Sequence, residues 1–155
     1  MKNINLNSDI GEGFGVYDIG NDTEMLKIVN SANIACGFHA GDPNVLDRVV
    51  KQSIKNGVSI GAHPGFNDLW GFGRRQIHMS TDEIEASVAY QIGALQAISA
   101  TNNAIVTHVK PHGALNNMSS LDPDIAAAIA KGVNLVDPKL CLLYTSDAAD
   151  ERHCV

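Results

Sequence analysis

No stretch of this chain approaches the roughly 20 consecutive apolar residues that a membrane-spanning helix requires, so no such span is expected. Nor is a secretory signal expected from the first residues. Met1-Lys2-Asn3-Ile4-Asn5-Leu6-Asn7 alternates polar and apolar side chains, the pattern of a strand rather than a continuous apolar core. Cysteine is scarce. Cys36, Cys141 and Cys154 form no even, spaced disulfide framework, so a reducing cytoplasm is the expected setting. Positive charge is in deficit: the net charge of -6 argues against nucleic-acid binding, which needs a basic footprint. A local basic pocket for a small anion remains compatible with it. Several catalytic templates are missing too. The chain has no Cys-x-x-Cys, no His-Glu-x-x-His and no Walker-type phosphate loop.

What the 155 residues do contain is an ordinary globular composition and an alternation of strand-like and helix-like segments. Residues 3–9 read as a first strand and 23–31 as a helix. A second strand at 32–36 precedes a helix that starts at Pro43 with Asp42 as its cap and stops at Asn56-Gly57. A third strand at 58–62 leads into a long loop, Pro64 to Met79, whose Phe66, Leu69, Trp70 and Phe72 predict an ordered flap. Ser80-Thr81-Asp82-Glu83 offers a capping box for the longest helix, about 81–101. A fourth strand at 104–109, a helix near 122–131 and a fifth strand at Val133-Asn134-Leu135-Val136 follow. This pattern predicts an α/β fold, a parallel sheet with helical crossovers, whose chemistry gathers at the carboxyl ends of its strands. The segment from Cys141 to Val155 has no place in the alternation and reads as a non-native tail, leaving residues 1–140 as the folded part.

Each of the first four strands is followed by a polar, glycine-containing cluster. Asp9 and Glu12 stand in Asn7-Ser8-Asp9-Ile10-Gly11-Glu12-Gly13-Phe14-Gly15, where a carboxylate can hold a metal or act as a general base. A glycine-rich turn with solvated acids fits the same residues. The Gly-x-Gly-x-Gly spacing is not the dinucleotide fingerprint. His39 and His63 occupy equivalent places one unit apart. With Asp9 they form either a divalent-metal ligand set or a metal-free acid/base set, and spacing does not choose between the two. Asp42 caps its helix. Arg74 and Arg75, on a glycine-flanked loop, suit a carboxylate or phosphate, although paired surface arginines are commonly only solvated. His108 and Lys110 share one face of the fourth strand, and Lys110-Pro111-His112-Gly113 at its end marks Lys110 and His112 as functional. His78 reads as a surface or structural histidine, and Cys36 as core packing rather than a nucleophile.

Together with Ala32-Asn33-Ile34-Ala35-Cys36-Gly37-Phe38-His39-Ala40-Gly41-Asp42-Pro43, Gly61-Ala62-His63-Pro64-Gly65-Phe66 and Val109-Lys110-Pro111-His112-Gly113-Ala114-Leu115, the first cluster resembles the LamB/YcsF family. The resemblance runs from residue 1 to about 139. Asn116 departs from it, since the family often has Tyr there. It implies a distorted β/α barrel related to metal-dependent deacetylases and glycoside hydrolases, of which this chain would be a C-terminally truncated, N-terminal part. It also implies ATP-dependent hydrolysis of 5-oxo-L-proline to L-glutamate, with ATP as co-substrate and subunits B and C as partners. Asp9, Glu12, His39, His63, Lys110 and His112 would be catalytic, with Asp42, Arg74 and Arg75 binding substrate or phosphate and Asp9, His39 and His63 holding any metal. Little activity is expected of the chain alone. The alternatives are a metal-dependent amidohydrolase without ATP and a non-catalytic member of the complex.

Overall fold

A computed structural model describes residues 4–144. Five parallel strands form one sheet in the order β1-β2-β3-β4-β5: β1 Asn7–Ile10, β2 Ser31–Ala35, β3 Ser59–His63, β4 Val106–Val109 and β5 Cys141–Leu142. Parallel strands in sequential order, joined by helical crossovers, are the arrangement of part of a β/α barrel. The helices are α1 Asp22–Met25, α2 Pro43–Asn56, α3 Thr81–Thr101, α4 Gly113–Leu121 and α5 Pro123–Val136.

Local chemistry explains the two best-defined helices. The Asp42 carboxylate accepts from the Asn44 and Val45 amides to start α2, and Gly57, at φ 68°, ends it in the left-handed region. The same side chain reaches back to accept from Gly15 N–H at 2.8 Å, tying the loop after β1 to the start of α2. Ser80 and Glu83 close the expected capping box on α3. Val45, Leu46, Val49 and Val50 from α2 and Ile84, Val88, Ile92 and Leu95 from α3 are buried against Ile34, Ile60, Ala62 and Val109 of the sheet.

Three segments differ from the sequence expectation. Val133–Val136 is the last turn of α5 rather than a strand. Gly132 lies against the Glu85 carbonyl, where an added Cβ would sit 2.7 Å away, so α5 packs closely on α3 and its apolar run belongs to that contact. The fifth strand falls instead at Cys141–Leu142, inside the segment expected to lack a place; Thr145 to Val155 lie outside the described residues. The helix expected over 23–31 is only Asp22–Met25, although Leu26 and Val29 still reach the core. The first strand is regular only from Asn7, and Asn3 lies outside the described residues. No described helix is long and apolar enough to cross a membrane.

Candidate functional site

Register places Asp9, Asn33, Gly61 and His108 side by side on four successive strands, so they share one face of the sheet. A bulge at Thr107, whose hydroxyl donates to the Ile60 carbonyl at 3.1 Å, sets His108 and Lys110 on that face while Val109 packs among the apolar residues. Asn33 donates to Asp9 Oδ1 at 2.9 Å and accepts from His108 Nε2 at 3.0 Å. Lys110, nearly buried, donates to both Asp9 oxygens at 3.0 Å. Burial pushes the Asp9 carboxyl upward, but His63 and Lys110 outweigh it and hold the group well below the usual carboxylate range.

Above this row, Glu12, His39, His63 and His112 each offer a ligand atom within 4.8 Å of one another, a grouping able to hold a metal ion. All three imidazoles are buried. His39 and His112 stack with centroids 3.7 Å apart. His63 Nδ1 lies 2.5 Å from the Lys110 carbonyl and His112 Nε2 lies 2.7 Å from the Phe72 carbonyl. Only a ring N–H can make either bond, so each ring's other nitrogen is directed at its neighbour, His63 Nε2 to His112 Nδ1 at 3.0 Å. Phe72 presents its carbonyl from the left-handed region, φ 54°, which costs a non-glycine residue about 1–2 kcal/mol. Gly73 follows at φ 64°, and a Cβ there would meet His39 Cβ at 2.7 Å, so the loop lies directly on the histidines. Burial and then neighbouring imidazoles pull the His112 pKa down to about 3 and that of His39 well below its usual value, while burial raises Glu12.

A cleft of about 330 Å³ opens on Glu12 and His39, walled by Phe14, Tyr17, Trp70 and Phe72. A larger hollow of about 610 Å³ runs past Gln76, His78, Met118 and Asp122, away from the charged groups. We place the site at the smaller cleft because the polar groups converge there. His78 is exposed at the other hollow, a surface histidine as expected.

Six residues singled out in the sequence therefore meet: Asp9, Glu12, His39, His63, Lys110 and His112. Arg74 lies beside them, its guanidinium carbon 5.9 Å from the Phe72 ring centroid. Arg75 is turned away, forking onto Asp68 through Nε at 2.9 and 3.0 Å with its own side chain 67% exposed. Asp42 spends its oxygens on backbone amides. Of the metal set read from spacing, His39 and His63 belong to the four-residue grouping, whereas Asp9 is engaged by Lys110 and Asn33. Cys36 is buried and its thiol pushed up to about 12, which fits packing. Sequence reasoning missed Asn33, a fully buried polar residue at the centre of β2, and Gln91. From α3, Gln91 accepts from Gly65 N–H and donates to the Gly65 carbonyl, both at 3.0 Å, pinning the loop after β3.

A parallel sheet in sequential order, with acids, imidazoles and a lysine gathered at the carboxyl ends of its strands, defines a β/α-barrel protein with its site at the strand ends. The chain belongs to the LamB/YcsF family, whose sequence pattern matches residues 4–154. It is 57% identical over 152 residues to the A subunit of 5-oxoprolinase from Natranaerobius thermophilus, covering 98% of this chain and 59% of that protein. It is 56% identical to the Staphylococcus carnosus protein of the same name, covering 93% of this chain and 57% of the relative. The crystal structure of the lactam utilization protein from Thermus thermophilus superposes with a TM-score of 0.92 at 44% identity, covering 97% of this chain and 61% of that one. The chain thus spans about three-fifths of the length of these relatives.

Proposed function

We propose that this chain supplies the ring-opening site of a cytoplasmic 5-oxoprolinase, working with ATP as co-substrate and with partner subunits B and C to convert 5-oxo-L-proline to L-glutamate. The observation that carries the reading is the meeting of the Asp9–Lys110 pair and the Glu12–histidine group beside one small cleft. The names of the relatives supply the substrate class, since two are called the A subunit of 5-oxoprolinase and one a lactam utilization protein.

An unstrained five-membered lactam is a poor electrophile, which gives a reason for coupling to ATP. Transfer of the γ-phosphoryl group to the lactam oxygen releases ADP and leaves an activated imidate carbon. Water adds to that carbon and gives up a proton, the carbon–nitrogen bond breaks with protonation of nitrogen to leave an acyl phosphate, and a second water hydrolyses this to the carboxylate and free phosphate. Glu12, raised by burial and lining the cleft, suits the role of base toward water. Lys110 and Arg74 suit the anionic phosphate or the substrate carboxylate. Asp9 keeps Lys110 in place.

The test is glutamate release from 5-oxoproline with ATP and both partner subunits. Glu12→Gln and Lys110→Ala should each lower the rate by about 100-fold or more, and Arg75→Ala should leave it near the starting level. Undiminished activity in the first two variants would give the chain an assembly role instead. A second reading, amide hydrolysis without nucleotide, is favoured by the Glu12, His39, His63 and His112 grouping, and turnover independent of ATP would select it.

A further inference from the structure

We infer that Glu12, His39, His63 and His112 bind one divalent ion of the zinc type, with Asp9 outside its ligand set. This rests on the site described above; ligation through Glu12 Oε1 leaves Oε2 for the base role, so it holds under either reading of the reaction. The argument begins with hydrogen positions. His63 Nδ1 and His112 Nε2 are both committed as donors to backbone carbonyls, of Lys110 and Phe72. In the neutral rings, His63 Nε2 and His112 Nδ1 then carry bare lone pairs, yet they face each other at 3.0 Å. Two lone pairs in a buried site repel unless something positive lies between or beside them. A shared proton and a metal ion are the two candidates.

The neighbours favour the ion. Glu12 Oε1 lies 3.7 Å from His112 Nδ1, 4.0 Å from His63 Nε2 and 3.3 Å from His39 Nε2. Ligand atoms at 2.0–2.2 Å from a tetrahedral zinc are separated by about 3.3–3.6 Å, so side-chain rotations that close gaps of at most 4.8 Å bring this set onto one centre. The two carbonyl bonds are also the outer contacts that fix the tautomer and orientation of metal-bound histidines. Three imidazoles and one carboxylate suit zinc or cobalt and poorly suit calcium or magnesium, which prefer oxygen. Asp9 Oδ2 stands 3.3 Å from His63 Nε2, but both its oxygens hold the Lys110 ammonium, which would repel an ion sharing them. When bound, such an ion acts as a Lewis acid toward an oxygen in the adjoining cleft.

Cobalt(II) titration of the chelator-treated 155-residue protein tests this through visible ligand-field absorption, read without substrate or partner subunits. Its outcome is therefore separate from that of the glutamate assay. One ion per chain with the spectrum of a four-coordinate site, displaced by Zn²⁺, is expected. His112→Ala and the isosteric Glu12→Gln should weaken binding by about 100-fold or more, since even outer contacts of a metal site are worth 10–100-fold. Asp9→Asn should keep both stoichiometry and spectrum. Circular dichroism of each variant separates lost ligation from lost fold, and Glu12→Gln decides where His112→Ala does not fold. Absence of stoichiometric uptake would mean a shared proton and overturn the proposal. So would loss of the spectrum in Asp9→Asn with retention in Glu12→Gln, or binding unchanged in every variant, the mark of adventitious surface uptake.

Discussion

Replacing Gly61 with alanine tests how the floor of the site is built. A Cβ on Gly61 would lie 2.1 Å from His108 Nε2 and 2.2 to 2.4 Å from two further ring atoms. The missing side chain is what lets the His108 ring on β4 cross over β3 and bond Asn33 on β2. A methyl group there must expel a buried ring flanked by sheet backbone, an overpacking cost of about 1–3 kcal/mol. The displaced ring also strands the Asn33 carbonyl oxygen, a further cost of about 1–3 kcal/mol. We expect Gly61→Ala to destabilise the fold by roughly 3 kcal/mol in urea denaturation. In a His108→Ala background the obstructing atoms are gone, and the same change should cost under about 1 kcal/mol, giving a coupling of about 2 kcal/mol. Equal costs in the two backgrounds would show that the ring does not occupy the gap above Gly61.

Gln91→Leu keeps the bulk of the side chain but leaves the amide and carbonyl of Gly65 without partners; chemical denaturation should show a loss of roughly 2–4 kcal/mol. Trp70, the sole tryptophan, is 96% exposed, so its fluorescence should peak where water-exposed indole does and be quenched freely by acrylamide; a blue-shifted, shielded emission would contradict this loop conformation. The Cys36 thiol, raised by burial, stays neutral in the fold while an unfolded chain would ionise it above the ordinary thiol pKa. Its contribution to stability is therefore constant at neutral pH and falls as pH rises beyond that value. Thiol labelling of the folded protein at pH 8 should modify exposed Cys141 and spare Cys36, and mass spectrometry of the labelled peptides checks it.

The alternation of segments was enough to read a parallel α/β sheet because α2 carries its own start and stop signals and α3 its own start. Asp42, Gly57, Ser80 and Glu83 act within a few residues of where they stand, so their effect is legible locally. Val133 to Val136 could not be read this way. A short apolar run suits a buried strand or a packed helix equally, and the close approach at Gly132 that decides it is a tertiary fact. α4 was missed because His112 provides no side-chain cap bond to announce it. In the site, strand-end position alone picked out the six convergent groups. The same rule overreached at Arg75, whose partner Asp68 lies in the same loop, and it gave no hint of which carboxylate joins the histidines. That choice depends on Lys110 reaching Asp9, a contact across most of the chain.

Asp42 has one oxygen on the amides of α2 and the other on Gly15. Serine, threonine and asparagine ordinarily substitute for one another at a helix start because a single acceptor suffices. Here the position demands acceptors pointing in two directions, and asparagine would turn an amide hydrogen toward an amide hydrogen on one side. The interchangeability usual for such residues is thus forfeited, and a mild-looking swap at Asp42 would unfasten the turn that presents Glu12.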